Sequence, residues 1–177
     1  MSPVRVAMVS SRYLPYVGGV ETHVHEVARR IAARGLDLTV LTTDLTGKLP
    51  PLEHEGLLTV RRYPAWPRRS DLYVSPALVR QIRVGSYDLV HVQGVNNFLP
   101  PMALMAAQRS GIPTVATFHG GGHSSRMRKM VRGLQWQTQR PLLRRTKGLV
   151  AVCHFEVETW AQRLGLCLLY TSDAADE

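Results

Sequence analysis

The sequence predicts a doubly wound α/β domain on three observations: short β-branched apolar runs recur along the chain, helical stretches separate them, and the opening unit is strand, helix, strand. With 177 residues the chain holds one ordinary domain and no second complete one. Apolar residues at 45% and charged residues at 20% exclude a disordered chain, a collagen and a disulfide-stapled miniprotein.

Val4 to Ser10 (VRVAMVS) is apolar on both faces, the pattern of a buried strand. After SRYLPYVGG, Val20, Val24, Val27, Ala28 and Ile31 fall at helical spacing, and Gly35 stops a helix of about four turns. Residues 36–44 (LDLTVLTTD) form a second buried strand, so the first two strands are parallel and joined by a right-handed crossover. Residues 45–56, with Gly47, Pro50, Pro51 and Gly56, read as a loop, and Leu57 to Tyr63 as a strand. Pro64 to Ser75 is a second loop, with Trp66 exposed or acting as a lid, and Pro76 opens a helix that runs to Gly85. Strands DLVHVQ (88–93), PTVATF (113–118) and GLVAV (148–152) follow, separated by helices near Leu99 to Ser110 and Ser125 to Leu143. Pro141 should kink or end the last helix.

Charge is unevenly distributed. The net +9 comes from 22 Lys+Arg against 13 Asp+Glu, and no acid lies between Asp88 and Glu156, a stretch with nine bases. That segment suggests a basic face meeting phosphates, anionic lipid or nucleic acid. Within it, Met127, Met130, Val131, Leu134 and Leu142 lie near one helical stripe beside Arg126, Arg128, Lys129 and Arg132, which fits either a solvated face or an anionic membrane surface. The start of the chain has no secretory signal pattern, no apolar run is long enough to span a bilayer, and Cys153 and Cys167 have no metal spacing. A cytoplasmic protein with reduced thiols is the expectation.

In open parallel sheets ligands bind beyond the carboxyl ends of the strands, so the residues that follow each strand are the site candidates. Gly18 and Gly19 precede a helix whose free first-turn N–H groups can receive a phosphate; a simple hinge is the alternative. G-x-G-x-x-G is absent, so Asp44 is not expected to hold a ribose. His23 and His25 point to different faces and lack zinc-ligand spacing, which makes them solvated surface. His91, Gln93, Gly94, Asn96 and Asn97 form a dense set of neutral hydrogen-bonding groups suited to sugar hydroxyls, or a capped loop. His119 opens HGGGH, where glycines free backbone N–H groups beside an imidazole, and this is the most site-like cluster.

The ordered motifs VRVAMVSSRYLPYVGGVETHVHEVARRIAARGLDLTVLTT, YDLVHVQG, IPTVATFHG and KGLVAVCHFEVETWAQRLG resemble the N-terminal Rossmann-like domain of the retaining "group one" glycosyltransferases with the GT-B fold, over about residues 4 to 165. The resemblance implies transfer of a sugar from a nucleotide-diphosphate sugar to a glycan or lipid-linked acceptor hydroxyl, with no cofactor and no metal held by this domain. It implies that Gly18, Gly19 and Gly120 bind the donor. His119 would contact the donor sugar near the reacting carbon as the catalytic-site histidine, and His91, Gln93, Gly94 and Asn96 would line the acceptor side. Cys153 stands where the family commonly has serine, a better hydrogen-bond donor. The resemblance also implies that a C-terminal nucleotide-binding domain is missing, so this piece alone should be inactive. Residues 166–177 (LCLLYTSDAADE) join no expected strand and look like a non-native tail.

Three rivals are weaker. A two-carboxylate glycosidase lacks acids from Leu89 to Phe155, where site-forming strand ends lie. An α/β-hydrolase using HGGG as its oxyanion loop has no G-x-S-x-G elbow here. A basic nucleic-acid-binding module has only charge in its favour, without an RNP motif or zinc knuckle, and no nucleic-acid partner is expected.

Overall fold

The computed structural model describes residues 2–68, 73–95, 97–119, 139–154, 156–158, 169 and 170. In chain order the elements are β1 (Arg5–Ser10), α1 (Gly19–Ala33), β2 (Asp37–Asp44), β3 (Leu52–Glu55), β4 (Leu58–Pro64), α2 (Pro76–Val84), β5 (Leu89–Gln93), α3 (Leu99–Arg109), β6 (Thr114–Phe118), β7 (Gly148–Ala151) and β8 (Leu169–Tyr170). They build one sheet in the order β3-β4-β2-β1-β5-β6-β7-β8, in which only the β3–β4 pair is antiparallel. Strand order reverses direction about β1, the arrangement of a doubly wound sheet.

Burial on both faces explains why the strands read as continuous apolar runs. On one face Val6, Met8, Leu38, Val40, Leu58 and Val60 pack under Val24, Ala28 and Ala32 of α1. On the other, Ala7, Val9, Val90, Val92, Ala116 and Phe118 meet Leu78 and Ile82 of α2 and Leu99, Ala103 and Ala107 of α3. The buried α1 positions recur every four residues, so one stripe of the helix meets the sheet. Gly35 ends α1 at φ +86, in the left-handed region, with its N–H on the Ala32 carbonyl at 2.9 Å.

Two expectations are corrected. The segment 45–56 is not all loop: Leu52–Glu55 pairs with Leu58–Arg61 as a hairpin edge, turning at Gly56 with φ +59. All four β3 residues are exposed, so the strand carries no buried stripe, and its two glutamates guard an open sheet edge. The tail also joins the sheet, since Leu169 and Tyr170 run parallel to Val150 and Ala151. Backbone pairing to the open side of β7 needs extended chain and no particular side chain, which is why residue type gave no sign of it. Trp66 is exposed at 73%. Pro141 falls within the helical stretch 139–144, and the preceding part of the predicted helix lies outside the described residues.

Candidate functional site

β1, β5 and β6 are adjacent and parallel, and their register aligns Ser10 with Gln93 and Gln93 with Thr117. The residues that follow these strands therefore emerge together on one rim. Gly18 is the N-cap of α1 and Gly19 its first residue, with no side chain capping the helix start. A Cβ at Gly19 would meet nothing within 4 Å, whereas one at Gly18 would fall on the Glu21 carboxylate. Glu21 thus sits against the positive end of α1, where a carboxylate is favoured and an incoming phosphate must contend with it. The sequence reading missed Glu21; its place in the third position of a helix after a cap residue was the available signal.

His91, Gln93, Thr117 and His119 alternate along β5 and β6 so that all face the α1 side of the sheet. They form a connected chain. His91 Nε2 lies 2.8 Å from Thr117 Oγ1 and 3.2 Å from Gln93 Nε2, and Gln93 Oε1 lies 2.8 Å from His119 Nε2. The His23 ring from the first turns of α1 meets the His119 ring edge-on at a centroid distance of 4.9 Å. His23 is therefore not solvated surface. His25 is not either, since its Nδ1 is 2.8 Å from the Tyr13 hydroxyl. Both depart from expectation because α1 lies with its start over the rim, and the side chains flanking its buried stripe touch the β1 loop and β6.

Burial holds these imidazoles neutral. It pushes His119 down to about 3, with His23 and His91 adding to the effect, and His91 down to about 4, with His23 adding. His23 is lowered by burial as well. The cluster accordingly offers neutral hydrogen-bonding nitrogens at physiological pH and no cationic charge.

The neighbouring loops are fastened by polar bonds. Asn97 is paired with Ser11 through two contacts, of 2.6 and 3.0 Å, and its Oδ1 also accepts from the Leu99 N–H; it braces the β1 and β5 loops. Gly94 adopts φ +76 and donates its N–H to the Thr117 carbonyl at 2.8 Å, a conformation that favours glycine. Asp44 accepts from the Thr46 hydroxyl and amide and the Leu49 amide, consistent with a structural rather than ribose-binding role. Burial alone would raise its pKa, but these bonds together hold it below the ordinary range. Asn96, Gly120 and the bases Arg126, Arg128, Lys129 and Arg132 lie outside the described residues. A cavity of about 390 Å³ lined by Gln108, Arg109, Thr114 and Lys147 is at the amino-terminal end of β6, away from this rim. Among the described residues no three His, Cys, Asp or Glu side chains are grouped to hold a metal ion.

The sequence model of Glycosyltransferase Family 4 matches residues 17–168, which contain the glycine loop, both rim histidines and all strands from β2 to β7. The chain belongs to Glycosyltransferase Family 4. Among its relatives is the GDP-mannose:cellobiosyl-diphosphopolyprenol alpha-mannosyltransferase of Komagataeibacter xylinus, 27% identical over 158 residues, a match covering 86% of this chain and 39% of that protein. The D-inositol 3-phosphate glycosyltransferase of Nocardiopsis dassonvillei is 34% identical over 137 residues, covering 66% of this chain and 32% of the relative. The chain thus spans well under half the length of these family members. A solved sucrose-phosphate synthase structure from Thermosynechococcus elongatus superposes with a TM-score of 0.66 at 14% identity, covering 95% of this chain and 87% of that one. The family 4 chain has the Rossmann-like fold of the N-terminal half of a GT-B glycosyltransferase.

Proposed function

We propose that this chain is the acceptor-side half of a retaining glycosyltransferase that moves a sugar from a nucleotide-diphosphate sugar to a glycan or lipid-linked hydroxyl. One observation carries the reading: the uncapped start of α1 at Gly18–Gly19 and the neutral His119 cluster share the carboxyl rim of adjacent parallel strands. In such a transfer, charge builds on the ring oxygen and on the departing diphosphate. The protein must supply fixed donors and alignment rather than a nucleophile. First-turn N–H groups of α1 suit the diphosphate, His119 suits a sugar hydroxyl, and the leaving phosphate takes the acceptor proton.

Gly19→Val tests the glycine loop without confounding the fold. An added Cβ there meets none of the described protein atoms within 4 Å and the backbone is not left-handed, so thermal stability should stay within about 1 kcal/mol of the parent. In the longer enzyme that carries this chain, transfer should fall at least about 100-fold, because the added methyls occupy the space the diphosphate needs. Full turnover by a normally folded variant would remove the loop from the site.

The relatives' names include a diphosphopolyprenol acceptor, and the basic segment after Asp88 suits an anionic bilayer surface. A peripheral position on the cytoplasmic face of a membrane follows as part of the proposal. Neutralising Arg128, Lys129 and Arg132 together should lower cosedimentation with anionic liposomes, each charge contributing about 1 kcal/mol. Unchanged cosedimentation would reject this position.

A further inference from the structure

We infer that Arg62 is a positioning residue: aimed by Glu53 of the edge strand, it clamps the Leu14 carbonyl and so fixes the path of the β1–α1 loop into Gly18 and Gly19. β4 places Val60 and Arg62 on the α1 face of the sheet, and Glu53, opposite Val60 in the antiparallel β3–β4 pair, lies on that same face. The guanidinium is buried, with the side chain 4% exposed. Its Nη1 donates to Glu53 Oε2 at 2.8 Å and to the Pro50 carbonyl at 3.1 Å, and its Nη2 donates to the Leu14 carbonyl at 2.8 Å. One planar fork thus ties three stretches of chain together, and a lysine ammonium, with a single nitrogen, cannot stand at both Nη positions.

Stability does not account for this arrangement. The Arg62 Nε–H is buried without a partner, and Glu53 is 46% exposed, so a charge is taken out of water for a counter-ion that stays half in it. What the guanidinium secures is geometry. Upstream, the loop is fastened at the Ser11 carbonyl by Thr43 Oγ1 at 2.6 Å and by the Tyr73 hydroxyl at 2.7 Å. Among the described residues, the Leu14 carbonyl is the last point before α1 at which a side chain of the sheet holds the loop backbone. Beyond it the described backbone makes only the bond from the Tyr16 N–H to the Tyr13 carbonyl, at 3.2 Å, before the helix begins. β3 buries nothing, yet its Glu53 aims the buried group that sets the entry to α1. A loose entry lets the first-turn amides drift, and a displacement of about 1 Å can lower transfer about 100-fold. That donor-side consequence rests on the proposed function; the clamp does not.

¹⁵N relaxation of the 177-residue protein reads the clamp directly. In the parent, Tyr16, Val17 and Gly18 should have order parameters of about 0.85, like the helix that follows. In Arg62→Lys, which keeps the charge, and Arg62→Met, which removes it, those three should fall to about 0.6 or below while Val24 and Ala28 of α1 keep the parent value. Glu53→Ala lies on an exposed strand and so preserves the fold even where an Arg62 variant does not; it should loosen the same three residues. Parent-like order in any folded variant of the three would overturn the clamp, and so would loosening spread evenly through α1. In the longer enzyme, Arg62→Lys should lower kcat/KM for the nucleotide sugar at least about 10-fold and leave the acceptor KM within about 2-fold of the parent. An acceptor KM raised as far as the donor KM would mark a general structural loss and overturn the positioning role. A loosened loop with unaltered donor kinetics would uphold the clamp and instead refute the place of Gly18 and Gly19 at the diphosphate.

Discussion

On the proposed function, His119→Ala in the longer enzyme should lower kcat/KM for sugar transfer by about 100- to 1,000-fold, the range for loss of one fixed polar contact to the transition state. The loss should fall chiefly on kcat if the imidazole meets the sugar as charge develops, and on KM if it only holds the ground state. The substitution leaves the Gln93 carbonyl without its 2.8 Å partner and removes the ring beneath His23, so stability will fall as well. Activity is therefore compared at a temperature where both proteins are fully folded. His119→Gln, which can restore a donor to Gln93 but not an imidazole, should recover stability and not turnover. Normal turnover in the alanine variant would remove His119 from the reaction.

Acidification below neutrality destabilises the fold through the same cluster. The sign follows from linkage: His91 and His119 titrate at about 4 and about 3 when folded, against an ordinary histidine value near 6.5, so the unfolded chain binds more protons between those limits. Stability is fully present above about pH 6.5 and declines as pH falls toward 4 and then 3. For His91 alone the displacement from 6.5 to about 4 corresponds to roughly 3 kcal/mol, and the two rings, joined through Gln93, titrate as a coupled set rather than additively. Asp44 has a lowered pKa and loses its contribution only as pH falls through the carboxylate range, so the span from pH 6.5 to 4.5 isolates the imidazoles. Urea midpoints measured at pH 7.5 and 4.5 should differ clearly, and the difference should shrink in a His91→Gln/His119→Gln double variant. Equal midpoints at the two pH values in the parent would show that the rings are not buried as described.

The central strands β1 and β2 were legible in the sequence because they are buried on both faces and read as mostly apolar runs, as in Val6 to Val9 and Leu38 to Leu41 with Thr39 buried among them. That pattern also fixed the end of the sheet to search, and His91, Gln93 and His119 do gather there with the glycine-led start of α1. β3 was hidden since an exposed edge strand buries nothing and so has no periodicity to detect. His23 was misassigned because spacing along a helix says which residues share a face and not what lies opposite. Only the crossing of α1 over the rim brings the His23 ring against His119. Gln93 was legible as a polar residue at a strand end; its place between two rings depends on the register of β5 against β6, which no local pattern encodes.

A crystal structure of the longer enzyme with its nucleotide-diphosphate sugar bound tests the central claim most directly. The diphosphate is expected against the Gly18 and Gly19 amides, with a sugar hydroxyl within hydrogen-bond distance of the His119 ring. A donor bound with its diphosphate away from the start of α1 and its sugar out of reach of His119 would contradict it.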